Sequence, residues 1–249
     1  MNIRITIILV IVTMAVAQCS TTRVTNTGSG KFIAIPDTGK LFIITPAEMP
    51  PINSVEVGTF EHVEDWNGNW DLLMDKIQKK ARDNGANIIK IDEYFEGSKT
   101  KGHALLIRGK FYLSQLPAAD IEAQVLKERT KNVAECNCSY LKVFRDEGNA
   151  ALRALVKIDL VVNDSLFGPL PNKKAYTIRL TKESDVFIGA GKSSNFLVKN
   201  NFGKEYYVQA TKAMASPAPG TVIIGPKVFI LLETLQAKVH FETIEKTYR

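Results

Sequence analysis

A basic start at Arg4, an apolar run from Ile5 to Ala17, then Gln18 and Cys19 open the chain, and this stretch decides the compartment in which the rest must fold. A cationic flank followed by an apolar run ending in small residues matches a secretory signal, whose apolar region is typically about 7–15 residues. The run is too short for a transmembrane helix, which needs about 20 apolar residues. Ala15-Val16-Ala17 places small residues where a signal peptidase reads, which would leave Gln18 as the new N-terminus. Residues 1–19 are therefore read as a signal peptide. Residues 20–30, polar and containing glycine, are read as a flexible tether.

A second cleavage competes. Val16-Ala17-Gln18-Cys19 resembles the bacterial lipoprotein signal, in which the Cys is acylated and becomes the first mature residue; Gln18 stands where that signal usually has Gly, Ala or Ser. The resemblance implies lipidation at Cys19 and an outer-membrane lipoprotein facing the periplasm of a Gram-negative cell. Plain cleavage after Ala17 implies a soluble periplasmic or secreted protein instead. An acylated Cys19 would leave Cys136 and Cys138 as an even pair.

The chain of 249 residues suits two domains, each large enough for its own core. The net charge of +6 comes from lysines and arginines scattered among acids, with short runs at Lys79-Lys80-Ala81-Arg82 and Lys173-Lys174. A nucleic-acid surface clusters its cations on one face, so no nucleic-acid partner is expected.

The expected fold class is α+β, with a small α/β sandwich over residues 31–115, a linker helix over 116–137 and an all-β sandwich over 138–249. In the first module, Phe32 to Ile35 and Leu41 to Thr45 flank Pro36-Asp37-Thr38-Gly39 as a hairpin. Pro46, Pro50 and Pro51 forbid regular structure until a strand from Val55 to Val63, with a bulge at Gly58. Trp70, Leu73, Ile77 and Ala81 recur at helical spacing after a cap at Asn69, and Asn84-Gly85 supplies the stop. Strands from Ala86 to Phe95 and Ala104 to Leu113 follow. After Pro117, Ala118 to Lys131 reads as a short helix lying against one module.

Val55-Glu56-Val57-Gly58-Thr59, the helix end Lys80 to Asn87, the strand Ile88-Ile89-Lys90-Ile91 and Gly109 resemble the fold shared by the Rcs stress-sensor lipoprotein and the YbjQ-type proteins. The resemblance covers about residues 52–113 and implies one helix on a sheet with a β-hairpin. That sensor's disulfides have no counterpart, since this module has no Cys.

In the second module, nine strands are expected: Tyr140–Phe144, Leu155–Val162, Ala175–Leu180, Val186–Ala190, Asn195–Lys199, Glu205–Thr211, Val222–Ile224, Val228–Thr234 and Lys238–Ile244. Asn163-Asp164, Asn200-Asn201 and Phe202-Gly203-Lys204 supply turns. Asn149 to Leu155 can form a helical turn. Tyr140 to Arg145, Val162-Asn163 with Phe167-Gly168 and Leu170, and Gly203 to Val208 resemble, in order, the motifs of a family of uncharacterised bacterial lipoprotein domains. Physically, Tyr206 and Tyr207 should place one ring on each face of their strand.

Few side chains are arranged for chemistry. Cys136-Asn137-Cys138 can form a structural disulfide, pair between molecules, or serve metal or redox work through thiolates. His62, near Glu61, Glu64 and Asp65, could join His103 in a divalent-metal site; a solvated loop histidine among surface acids is the plainer reading. His240 alternates along its strand as a half-exposed sheet residue. Gly189-Ala190-Gly191-Lys192-Ser193 lacks the spacing of a phosphate loop and reads as a hairpin turn. One of Trp66 and Trp70 should staple the helix start to the core. No G-x-S-x-G elbow occurs. The functional expectation is a non-catalytic binding, sensing or assembly role in the cell envelope, with other envelope proteins as partners, the membrane reached through a lipid anchor, and no cofactor. A metal-binding envelope protein is the alternative, and an envelope hydrolase the third.

Overall fold

In this computed structural model, residues 21–27, 33–36, 39–64, 70–98, 103–134, 136–146, 158–191, 196–218, 221–232 and 235–248 are described. The expected signal, Asn69, Trp66 and the turn at 149–155 lie outside them. The class is α+β, with strands predominating. Among the described residues no helix is long and apolar enough to cross a membrane.

Strands β1 (Thr21–Asn26), β2 (Phe42–Ile44), β3 (Val55–Glu64), β4 (Ile88–Ser98) and β5 (His103–Leu113) form one sheet, in the order β1-β3-β5-β4-β2. Helix α1 (Trp70–Asp83) buries Leu73, Met74, Ile77 and Ala81 against Val57, Ile89, Ile91 and Ile107. Full burial of such side chains stabilises by about 1.5–3 kcal/mol each. The helix stops as its sequence dictates. Gly85 takes φ 72°, its N–H reaches the Arg82 carbonyl at 2.9 Å, and the Ala86 N–H reaches Ala81 at 2.9 Å, the paired bonds of a left-handed helix terminus. Trp70 packs edge-on against Tyr94, with ring centroids 5.4 Å apart, so it fastens the helix start to the core. The bulge at Gly58 is present as a register shift between Glu56 and Gly58.

Two expectations in this region are corrected. Thr21–Asn26, read as tether, is an edge strand paired antiparallel with β3. Its β-branched threonines and Val24 favour extended backbone, and β3 would otherwise present an open edge. The hairpin of Phe32–Ile35 with Leu41–Thr45 does not form. Residues 33–36 are not strand, and β2 runs parallel to β4 with Phe42 opposite Ile88. The apolar β2 gains more by lying at this sheet edge beneath helix α2 (Ala118–Ala134), where Phe42, Ile44, Ile88, Ile121 and Val125 share one cluster.

Gly109 shows why the sheet tolerates no side chain at its centre. An added Cβ would lie 2.0 Å from the Lys90 carbonyl oxygen and 2.8 Å from the Phe60 ring. Because a backbone carbonyl cannot swing aside, Gly109→Ala should destabilise by about 3 kcal/mol. Urea unfolding would measure this, and a change below about 1 kcal/mol would contradict the close approach.

The remaining strands are β6 (Ser139–Arg145), β7 (Asp159–Val162), β8 (Ser165–Pro169), β9 (Lys174–Leu180), β10 (Val186–Ala190), β11 (Phe196–Val198), β12 (Glu205–Ala218) and β13 (Thr221–Leu232). They form two four-stranded sheets, β11-β10-β7-β8 and β13-β12-β6-β9. Leu141, Val143, Tyr206 and Val208 from one meet Leu160, Ile188 and Val198 from the other in a single core, as in a β-sandwich. Asn163 and Asp164 turn with φ 47° and 60° and join β7 to β8, a strand the sequence reading omitted. Val222–Ile224 and the described part of Val228–Thr234, up to Leu232, belong to one strand, β13. Gly225 and Pro226 fall within a register shift between Ile224 and Lys227, where the missing proline N–H costs no ladder bond.

The largest correction is at the end of the chain. Lys238–Ile244, read as a strand, lies inside helix α3 (Leu235–Thr247). Val239 joins the first core, while Ala237, Phe241 and Ile244 pack with Phe144 and Tyr207 on the outer face of the β12-β6 sheet. The helix is therefore enclosed by both β layers. Beyond Ile44, no strand among the described residues lies on the outer side of β4, and α3 packs there: the Tyr94 N–H donates to Thr243 Oγ1 at 3.1 Å.

Candidate functional site

The polar side chains that the fold gathers most densely surround α3. Glu48, in the turn after β2, is 2% exposed and accepts from the Thr45 N–H at 3.0 Å, Arg129 Nε at 2.9 Å and Lys238 Nζ at 3.0 Å. Arg129 also donates to the Ile43 carbonyl at 3.0 Å, so α2 is tied to both β2 and α3. On the other side of Lys238, Glu205 of β12 pairs with Lys142 of β6 at 2.8 Å and accepts from the Tyr207 hydroxyl at 2.5 Å. Glu242 accepts from the Ala47 N–H at 2.9 Å and lies 3.9 Å from Lys238. Three carboxylates thus face Arg129, Lys142 and Lys238, drawn from five separate segments.

Burial sets the electrostatics. It pushes the carboxyls of Glu48 and Glu205 up, yet hydrogen bonds and cations outweigh it and hold both below the usual glutamate range. At Glu242 burial wins, and its carboxyl lies above that range despite Lys238 and Lys142. Burial and then the neighbouring Glu205 push the Tyr207 hydroxyl up, so it stays a hydrogen-bond donor.

A second cluster lies on another face of α3, at His240 between Lys238 and Glu242. His240 Nε2 is 2.8 Å from Asp146 Oδ2, and Lys173 also pairs with Asp146. Tyr94 and Phe144 flank the imidazole edge-on, each with centroids 5.0 Å away. Burial would raise the Asp146 carboxyl, but the His240 hydrogen bond and charge, with Lys173, bring it down to about 2. His240 is thus a buried helix residue, not a half-exposed strand residue. With Tyr94 and Phe144 edge-on to the imidazole, the buried Asp146–His240 pair ties the end of β6 to α3.

The other sequence-derived candidates separate. His62 is on β3 and fully buried, not in a solvated loop. Its Nε2 is 2.9 Å from Glu64 and its Nδ1 is 2.5 Å from the Thr22 hydroxyl, while Glu64 continues to Lys76 of α1. A tautomer protonated on Nε2 satisfies both contacts. The strand β1 that the sequence reading missed is what covers this imidazole. His103 opens β5 opposite Ser98, beyond the Glu64–Leu105 rung that ends the β3–β5 pairing, whereas His62 faces Ile107. Among the described residues no group of three or more His, Cys, Asp or Glu is placed to hold a metal ion. Cys136 and Cys138 are joined by a disulfide between the end of α2 and the start of β6, with Cys138 fully buried. Tyr206 and Tyr207 point to opposite faces as expected, one into the sandwich core and the other against α3.

A cleft of about 370 Å³ opens where α2, β12 and the start of α3 meet. Arg129, Lys204 and Lys238 line it with Glu205, Tyr207 and Leu235, and Arg129 and Lys238 are both paired with the buried Glu48. Sequence reasoning found none of these as site residues. The available signal was Lys238 and Glu242 at one-turn spacing, which marks a helical face.

The fold and its cleft define a mixed α+β protein with a charged joint between β layers. Comparison with protein-family models, curated proteins and solved structures gives no match.

Proposed function

We propose that this chain is an exported cell-envelope protein, lipid-anchored through Cys19, that binds or assembles with other envelope proteins without catalysing a reaction. In this reading it comprises a small α/β module over 31–115, a linker helix over 116–137 and a β-sandwich module from 138, with α3 returning to clamp the two. The observation that carries it is the open cleft between α2, β12 and α3, whose Arg129 and Lys238 are held in place by the buried carboxylate of Glu48. A wall pre-arranged in this way costs little ordering on contact with a partner surface. The joined Cys136–Cys138 pair agrees with an oxidising compartment, and the opening residues supply the export pattern.

Palmitate labelling with fractionation tests the anchor: the wild-type chain should carry label in the outer membrane, and Cys19→Ser should lose both label and membrane association. An unlabelled chain whose mature terminus is Gln18 would replace the anchor with plain secretion. For the binding half, a photo-crosslinker at Lys204 should give a discrete adduct in intact cells, while the same probe at Asp185 should not. Identical adduct patterns at the two positions would remove the cleft as the binding surface.

A further inference from the structure

The Cys136–Cys138 disulfide spans a single residue, Asn137. The entropy that a crosslink removes from the unfolded chain grows with the length of the loop it closes, so a bridge of this span stabilises least. The two elements it joins are also secured without it. α2 buries Ile121, Val125 and Val133, and its Arg129 bonds Glu48 at 2.9 Å. At the start of β6, the Cys138 carbonyl accepts from the Gly203 N–H at 2.8 Å, and the Tyr140 N–H donates to the Lys204 carbonyl at 3.0 Å. Between them Ser139 pairs with Leu180 and bonds Asn200 through its hydroxyl. A covalent tie laid over these contacts adds little to the fold.

The two sulfurs differ in access. Cys138 is fully buried, whereas Cys136 is partly exposed beside the exposed Asn137. An incoming thiolate therefore reaches Cys136, and the sulfur it displaces is that of Cys138, which a protein interior accommodates as a small apolar side chain once it is protonated. Bridges open to solvent on one sulfur belong to the labile class, in contrast to those enclosed on both sides. The pair also adjoins the cleft. Val133, Gly203 and Lys204 line it, and the last two are the residues bonded to Cys138 and Tyr140. A chain seated there presents its own thiols beside Cys136.

We propose that Cys136–Cys138 is a reactive disulfide that oxidises a dithiol of an envelope protein or peptide, a chemical step beyond binding. A partner thiolate attacks Cys136 Sγ. The S–S bond breaks as the new one forms, and Cys138 leaves as a thiolate that takes up the proton given up by the partner thiol. The partner's second thiolate then attacks its own sulfur in the mixed disulfide and displaces Cys136, which is protonated in turn. The partner departs with a disulfide, having lost two electrons and two protons, and the chain holds both as a dithiol. The step consumes the bridge, one equivalent per chain, so it is exchange and not turnover.

The purified full chain carrying Cys19→Ser, which removes the third thiol, tests it. The chain is mixed without denaturant with a reduced peptide containing two cysteines, then quenched in acid, alkylated and weighed by mass spectrometry. One peptide disulfide should form for each chain reduced at Cys136 and Cys138. With glutathione disulfide offered instead, Cys138→Ala should gather the mixed disulfide on Cys136 at least tenfold faster than Cys136→Ala gathers it on Cys138. Circular dichroism confirms that each variant is folded. A bridge that stays oxidised in the native chain and opens only after urea is added overturns the proposal, whatever the variants do. Equal rates on the two single cysteines overturn it as well, because the route through Cys136 would be lost. The step is measured without Cys19 and without membranes, so failure of the lipid anchor, or of crosslinking at Lys204, leaves this result standing.

Discussion

Phe241→Ala should lower the free energy of unfolding by about 3–5 kcal/mol, the range for deleting a fully buried aromatic ring. Phe241 is completely enclosed in α3, where its ring lies edge-on to Phe144 at 6.1 Å and Tyr207 at 5.8 Å, and Lys142 Nζ sits 5.3 Å from its centroid. Truncation leaves a cavity on the outer face of the β12-β6 sheet and removes an aromatic face from a buried cation. The same helix carries Val239 in the first core and bonds the edge of β4 through Thr243. Loosening it should therefore uncouple the layers. Wild type should unfold in urea as one transition, and Phe241→Ala should separate the signal of Trp70, in the first core, from the far-ultraviolet signal of the sandwich strands. A loss under 1 kcal/mol, with the two signals still coincident, would show that α3 does not clamp the layers.

Acid should act through Asp146. Its carboxyl is held at about 2, below the ordinary 3.8, by His240 and Lys173. A folded-state value below the unfolded one means that the unfolded chain takes up the proton first as pH falls. The stabilisation, about 2 kcal/mol, is complete above roughly pH 4 and is lost as pH falls toward 2. Glu242 acts with the opposite sign. Burial raises its carboxyl above the ordinary 4.5, so the folded chain takes up that proton first and stability rises as pH falls toward about 4.5, above the range in which the Asp146 contribution is lost. Asp146→Asn should destabilise at neutral pH by about 2–3 kcal/mol, because Lys173 and His240 lose a buried charged acceptor. It should also flatten the stability profile between pH 4 and 2. Urea midpoints measured along that interval for wild type and variant would decide it, and parallel profiles would show that Asp146 does not carry the acid response.

Elements whose information is local were legible. The stop of α1 depends on Gly85 and neighbours within a turn, and the opposite faces taken by Tyr206 and Tyr207 follow from the two-residue repeat of a strand. Residues from Ala175 to Leu180 likewise read as a strand because Tyr176, Ile178 and Leu180 alternate with Thr177 and Arg179, and Val186 to Ala190 reads as a short β-favouring run. The charged joint was not legible. Glu48, Arg129, Glu205 and Lys238 are far apart in sequence, and each by itself reads as a solvated surface charge. Only their burial against one another distinguishes them. His62 was misread for the same reason: the acids beside it in sequence suggest solvent, and the cover over it comes from β1.

The last helix marks the division between the two kinds of information. From Lys238 to Ile244, Val239, Phe241 and Thr243 satisfy a two-residue alternation, while Ala237, Phe241 and Ile244 satisfy a helical one. A helix exposed on one side would have broken the tie with a polar stripe. This one is buried from Ala237 to Ile244, so its polar positions are reduced to Lys238 and Glu242 one turn apart, with His240 and Thr243 among the apolar residues. The sequence alone determined an α+β class, one well-terminated helix and a strand-rich second half, because those depend on composition and short-range periodicity. The tertiary structure decided that the chain returns as a helix between two β layers, which strands it covers, and which distant charges it brings together, because those choices are made by the apolar faces and unpaired edge left to be buried once the sheets exist.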